Sequence, residues 1–356
     1  MLEDFTRGLS DGRQQLCLGI ALCALALCVS CAAQSSNDSP NSTADGRIKL
    51  NVCTSSTGGV QVVPEYAREK GIFAKHGLDV TLTSIDSGSR AVAALISGSV
   101  QLCETAGSSV VHAVVGGADL AIVGTLVDTY IFSLMVSTEI QSPSDLKGKA
   151  VAVSTAGSAS DTAMRVALRA VGLQPDRDVA ILAVGDLPER LAALEAGYVV
   201  GSLFVPPGTN LARQKGFRLL LDMSTMGLPN LHAGIVTSRA FLQSNRMAVL
   251  SFMKAIAEAV FWIKRDREGT LVALSKHAQL DLQNDADTLE ETYEAILKRK
   301  LVDVPYPSLA GIEAALAEIR HDNPAATRFK PEAVADLSVV RELEDRGFFR
   351  DLLGQK

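Results

Sequence analysis

From Ile48 onward the chain alternates short apolar runs with amphipathic stretches, and past Asp222 the alternation gives way to helical periodicity. The runs Ile48–Cys53, Leu78–Thr83, Val100–Cys103 and Leu120–Thr125 have the length and residue types of buried strands. Val60–Lys70, Arg90–Ser97 and Ser109–Val115 lie between them and read as helices. Strands and helices joined by short links point to parallel βαβ units, and right-handed crossovers then place helices on both faces of a sheet. A second set follows Ser142-Pro143-Ser144-Asp145. Its strands are Ala150–Val153, Val179–Ala183, Gly201–Val205 and Arg218–Leu221, with helices over Asp161–Val171 and Leu187–Ala196. Asp186 and Glu189 have the spacing of a capping box, so Asp186 reads as a helix cap.

After one more strand, Ala233–Thr237, the pattern is helical over Arg246–Arg267, Thr270–Gln279, Ala286–Lys298, Leu309–Arg320 and Ser338–Asp345. These helices have no strands between them, as expected of a wrap packed back on the first unit. Ile131–Ser137 leads out of the first set and His232–Thr237 leads back. The expected division is therefore lobe one over 47–133 and 238–356, and lobe two over 134–237 including two hinge strands. In open α/β sheets ligands sit beyond the carboxyl ends of the strands, so both lobes would face one cleft.

A length of 356 residues with 47% hydrophobic content suits two such units. With 34 basic and 40 acidic residues the formal net charge is −6, which argues against a nucleic-acid partner. One Trp and five Tyr make no obvious stacking platform. The sequence has no H-E-x-x-H, no G-x-S-x-G and no Walker loop, and its five histidines are scattered, so no metal, cofactor or catalytic centre is expected.

Leu16–Val29 is an uncharged Leu- and Ala-rich run, short of the roughly 20 residues that span a bilayer. Arg7 and Arg13 precede it and Ser30-Cys31-Ala32-Ala33 follow, the layout of a secretory signal peptide over residues 1–30. Cys31 stands where cleavage is expected, and a polar stretch from Gln34 to Gly46 reads as a disordered tether. The leader resembles that of a bacterial lipoprotein, although Cys28 stands where Leu is usual. That resemblance implies acylation at Cys31, a tether over 31–46, and a periplasmic or cell-surface protein held to the membrane by lipid. Of the six cysteines only Cys53 and Cys103 lie in the folded body. Export permits a disulfide, but each sits in its own apolar strand, and two buried thiols are expected.

The chain resembles the NitT/TauT group of ABC-importer binding proteins, which includes nitrate, sulfonate, taurine and thiamine-precursor binders. The resemblance is carried by Ala67-Arg68-Glu69-Lys70-Gly71-Ile72-Phe73 with Gly77-Leu78-Asp79-Val80, and by Ala94-Leu95-Ile96-Ser97-Gly98-Ser99-Val100-Gln101, where Gln101 replaces the usual Asp. Asp145-Leu146-Lys147-Gly148-Lys149, Ala192-Ala193-Leu194-Glu195-Ala196-Gly197 and Pro206-Pro207 complete it, over about residues 48–245. It implies an α/β type II periplasmic-binding-protein fold: two doubly wound lobes joined by two crossover strands, with a C-terminal helical wrap. It also implies a small-molecule ligand delivered to an ABC permease and its ATPase. The alternatives from other classes are a ligand-sensing lipoprotein that signals to a membrane partner, and an enzyme like the fungal thiamine-pyrimidine synthases. The latter carry a CCCFC-type cysteine cluster, which is absent here.

Four turns have the chemistry to line such a cleft, since helix first turns offer free N–H groups and a positive dipole end. Thr54-Ser55-Ser56-Thr57-Gly58-Gly59 contributes Ser55, Ser56 and Thr57, and Asp86-Ser87-Gly88-Ser89-Arg90 contributes Ser89 and Arg90. Glu104-Thr105-Ala106-Gly107 contributes Glu104 and Thr105; the turn from Ser154 to Asp161 contributes Gly157, Ser158 and Asp161. Each such residue also has an ordinary use as an N-cap, worth about 1 kcal/mol. Arg90 is the candidate to neutralise an anion. A carboxylate at Glu104 would accept from an amine or heterocycle N–H and oppose inorganic anions. His232 is either a ligand contact or a hinge histidine.

Overall fold

The computed structural model describes residues 42–355. The signal peptide over 1–30, the acylation site at Cys31 and most of the tether lie outside the described residues. The end of the tether is ordered: Thr43 N donates to Arg47 O at 2.8 Å and Ser42 bridges to Ile48, closing a turn onto the first strand.

Two five-stranded mixed sheets form the frame. The first runs β2-β1-β3-β10-β4, with β1 Ile48–Thr54, β2 Leu78–Ser84, β3 Leu102–Thr105, β4 Leu120–Thr129 and β10 Pro229–Ser238. Strands β1, β2 and β3 are parallel, and β10 enters antiparallel between β3 and β4. The second sheet runs β7-β6-β8-β5-β9, with β5 Ser133–Val136, β6 Ala150–Val153, β7 Ala180–Ala183, β8 Gly201–Phe204 and β9 Arg218–Asp222. Strands β6, β7 and β8 are parallel, and β5 is antiparallel to β8 and β9. Lobe one is built on the first sheet and lobe two on the second. The repeated βα alternation supplies the parallel strands, and each crossing segment supplies an antiparallel one. This is the two-lobe fold of periplasmic binding proteins.

The expected boundaries shift at the return crossing. Instead of leading back as a hinge strand counted with lobe two, β10 pairs along its whole length within the first sheet. Ala233 and Ile235 pack into one core cluster and Leu231 and Val236 into another, so both faces of β10 are buried.

Cys53 and Cys103 form a disulfide, where two separate thiols were expected. They are register partners on the neighbouring parallel strands β1 and β3, with side chains on the same face and Cα atoms 4.6 Å apart. That separation lies within the span a disulfide needs.

After the short helix Arg239–Ser244, the wrap continues with the helix Arg246–Ile263, which is apolar nearly all round and correspondingly buried. It stacks Phe252 on Phe73 of lobe one, centroids 5.5 Å apart. Its buried Glu258 accepts from Lys75 Nζ at 2.6 Å and faces His76 Nε2 at 2.8 Å. The helix stops at Ile263 instead of reaching Arg267, because Asp266 caps a new helix, Arg267–Ala278, by accepting from Gly269 N at 3.0 Å. Ala286–Thr292 continues through a wider π turn at Tyr293–Leu297. Leu309–Asp322 and Ser338–Asp345 follow, then the short helix Phe348–Leu353. Among the described residues no helix is long and apolar enough to cross a membrane.

Candidate functional site

The strand ends of both sheets converge on one cavity of about 50 Å³. Lobe one lines it with Ser55, Ser56, Gly58 and Gln61 after β1, Gly88, Ala106 after β3, His232 on β10, and Phe132 from the crossing. Lobe two lines it with Ser154, Ser158, Ala159 and Ser160 after β6, Asp186, Leu187 and Arg190 after β7, and Val205 after β8. Four helices start at this wall: Gly88–Ile96, Gly107–Val115, Ala159–Ala170 and Leu187–Glu195. Their first-turn N–H groups have no intrahelical acceptor, and their positive dipole ends favour an acceptor-bearing group.

The lobes are shut on each other. Ser87 Oγ meets Thr155 Oγ1 at 2.7 Å, and Ser89 Oγ donates to Ala156 O at 3.0 Å. Ser109 Oγ donates to Gly157 O at 3.4 Å, and Gly59 N donates to Pro206 O at 3.1 Å. The last contact explains Gly59: a Cβ there would lie 2.5 Å from Thr292 Cγ2 and 3.0 Å from Pro206 O. Farther out, Arg169 pairs with Glu318, and Gln214 Nε2 donates to Thr288 Oγ1 at 3.0 Å.

The residues expected at a cleft fall into groups. Ser55, Ser56, Ser158 and His232 line the cavity. Thr57 and Ser89 instead bridge the lobes: Thr57 N and Oγ1 donate to Asp186 at 3.3 and 3.4 Å. Gly157 and Asp161 shape the turn after β6. Gly157 takes φ +69°, its N donates to Asp161 Oδ2 at 2.8 Å, and Arg165 Nε donates to Asp161 Oδ1 at 3.0 Å. Glu104 and Thr105 are fully buried behind the wall with side-chain oxygens that have no hydrogen-bond partner. Burial pushes the Glu104 carboxyl well above its usual range. Arg90 stands apart. Its side chain is exposed and both Asp86 oxygens lie 2.7 Å from its Nη1, so its charge is paired at the surface and away from the cavity. One helical turn separates Asp86 from Arg90, which makes that pairing local.

Asp186 is not the pure cap that its spacing suggested. It precedes the helix Leu187–Glu195, but its carboxylate makes no cap bond and reaches across the cleft to Thr57. Burial raises its pKa, and Arg190 acts in the opposite direction.

Arg190, Gln61 and Phe132 are wall residues that the turn chemistry did not single out, while Ser154 and Ser160 come from a turn that it did. Arg190 is buried and donates through Nε to Gly185 O at 3.1 Å, through Nη1 to Ser202 Oγ at 3.3 Å, and to Leu203 O. It lies over the Phe204 ring at 5.2 Å. The available signal was its place four residues after Asp186, where the two side chains share a helix face. His232 packs edge-on against Phe132, centroids 4.9 Å apart, with Nδ1 unpartnered. Burial pulls its pKa down to about 4, so the ring is neutral near pH 7. Gln61 Oε1 is likewise buried and unpartnered. Among the described residues no group of His, Cys, Asp and Glu is placed to hold a metal ion.

Known structures share this architecture. The alkanesulfonate-binding protein SsuA from Xanthomonas axonopodis pv. citri, bound to MOPS, superposes with a TM-score of 0.68 at 21% identity, covering 81% of this chain and 98% of its own. The periplasmic nitrate-binding protein NrtA from Synechocystis PCC 6803 gives 0.71 at 16% identity, covering 90% and 93%. The periplasmic aliphatic sulphonate-binding protein SsuA from Escherichia coli gives 0.61 at 19% identity, covering 80% and 90%. No curated protein matches in sequence. The model of one family, described as NMT1/THI5 like, matches residues 62–268, which take in most of lobe one's strands, all of lobe two and the first helix of the wrap. That stretch is more than half of the chain, and the protein belongs to the NMT1/THI5-like family.

Proposed function

We propose that this protein is an exported solute-binding component of an ABC importer, anchored by lipid at Cys31, that encloses a small polar molecule between its lobes and passes it to a permease and its ATPase. The observation that carries the reading is the closed interlobe cavity, walled by four helix starts and by polar atoms with no partner, Gln61 Oε1 and His232 Nδ1. Buried polar groups are ordinarily satisfied, so unsatisfied ones at a cavity wall mark where a solute's own groups sit. The solute contacts Ser55, Ser56, Gln61 and His232 on lobe one and Ser158, Ser160 and Arg190 on lobe two. Thr57, Ser89, Gly157 and Asp161 shape the closed form around it. The similarity to nitrate- and sulfonate-binding proteins supports small polar solutes as the class to test.

The test is a thermal-shift screen of residues 47–356 against nitrate, alkanesulfonates, taurine, pyrimidines and aromatic acids. A solute at one hundred times its dissociation constant stabilises by about 2.7 kcal/mol. Small-angle scattering with that solute should show an open form shrinking to the closed one, and no change in dimensions with any stabilising solute counts against the reading. For the anchor, Cys31→Ala should move the protein from the membrane fraction to the soluble one.

A further inference from the structure

Asp186 and Arg190 are the only charged side chains among the described residues that line the cavity, and they face each other, Arg190 Nη2 lying 3.9 Å from Asp186 Oδ1. Both are more than nine-tenths buried. The guanidinium is held in place by the carbonyls of Gly185, Asp186 and Leu203 and by Ser202 Oγ. The other carboxylate oxygen, Asp186 Oδ2, points across the cleft to the N–H and hydroxyl of Thr57. Thr57 belongs to the loop that also supplies Ser55, Ser56 and Gly58 to the wall. A carboxylate of the protein thus occupies donors of the kind that a solute's acceptor would use, and it cancels the cavity's one buried cation.

We propose that Asp186 is a specificity-determining residue: it makes the corner of the cleft beside Thr57 select hydrogen-bond donors and reject oxyanions. An oxyanion placed there meets a buried negative charge, whose repulsion is screened less than at the open surface. A donor group meets a carboxylate already aimed at the cleft. The proposal rests on the cavity being the solute site.

The test compares the purified full chain with Asp186→Asn and Asp186→Glu. Asn has nearly the shape of Asp, and melting curves check that the fold survives the loss of one member of the buried pair. Sulfate and nitrate, titrated calorimetrically, serve as oxyanion probes. Removing the charge leaves Arg190 uncompensated, so Asp186→Asn should bind one or both at least tenfold more tightly than the parent, and Asp186→Glu should behave like the parent. Unchanged oxyanion affinity in an Asp186→Asn protein that melts as a folded chain means that Asp186 sets no charge preference and overturns the proposal. The oxyanion titrations need no identified solute, so a failed solute screen would defeat the transport reading without deciding this one.

Discussion

The hydroxyls of Ser87 and Thr155 lie 2.7 Å apart across the cleft, one from the cap before a lobe-one helix and the other from the turn after β6 in lobe two. Neither lines the cavity, so their bond reports closure and not solute contact. Thr155→Ala removes it and also the weaker contact to Ser89 Oγ at 3.3 Å. A net hydrogen bond is worth about 1 kcal/mol, so the affinity for any solute held in the closed form should fall about fivefold. The fall should appear chiefly as faster release in stopped-flow measurements, with the melting temperature of the solute-free protein little changed.

Gly59→Ala should be more severe. Its Cβ would press on Thr292 and on the Pro206 carbonyl, which Gly59 N must approach for the lobes to meet. The expected result is a protein that stays open by small-angle scattering even with a solute that closes the parent.

Arg190→Met keeps the bulk of the side chain but leaves Asp186 as a buried charge without its partner. Losing one member of a buried pair costs about 3–5 kcal/mol. Denaturant titration should show a loss of this size, and the double variant Arg190→Met with Asp186→Asn should recover part of it.

The Cys53–Cys103 bridge closes a loop of sequence separation 50. Chain-entropy reasoning assigns a loop of that length about 4 kcal/mol. The body should show no reactive thiol when unfolded without reductant. Replacing both cysteines by alanine should lower the unfolding free energy by a few kcal/mol.

His232 should make stability depend on pH. Its folded pKa of about 4 lies below the ordinary value of 6.5, so the unfolded chain takes up a proton that the folded chain refuses. Its contribution is complete above pH 6.5 and is lost as pH falls towards 4. The full effect is about 3 kcal/mol, from the two to three units between these values. His232→Gln should flatten the fall in melting temperature between pH 7 and pH 5.

The strands β1 and β2 were legible from short runs in which apolar residues alternate with polar ones, and were placed to within one residue; the helix Ser338–Asp345 was placed to the residue. The pairing of strands was not. Nothing in the periodicity of β1 or β3 says that Cys53 and Cys103 share a register, and nothing in β10 says that it lies between β3 and β4. The hydroxyl turns were found because local chemistry announces a helix start. Arg190 escaped because two of its partners, Leu203 O and Ser202 Oγ, come from β8, beyond its own helix. Arg90 misled because its partner, Asp86, was only four residues away and took its charge to the surface.

The discontinuity of lobe one has a consequence for the order in which the chain completes itself. Once Asp222 has been made, lobe two has all five of its strands, while the other sheet still lacks β10 and has four. The edge that β3 and β4 keep open for β10 is therefore the last to be filled. Until that insertion, and until the helices behind it arrive, the N-terminal third is a half-built layer with its apolar face bare. The nascent protein most needs a holdase over this interval, and substitutions in β10 should reduce yield more than equally buried substitutions in lobe two.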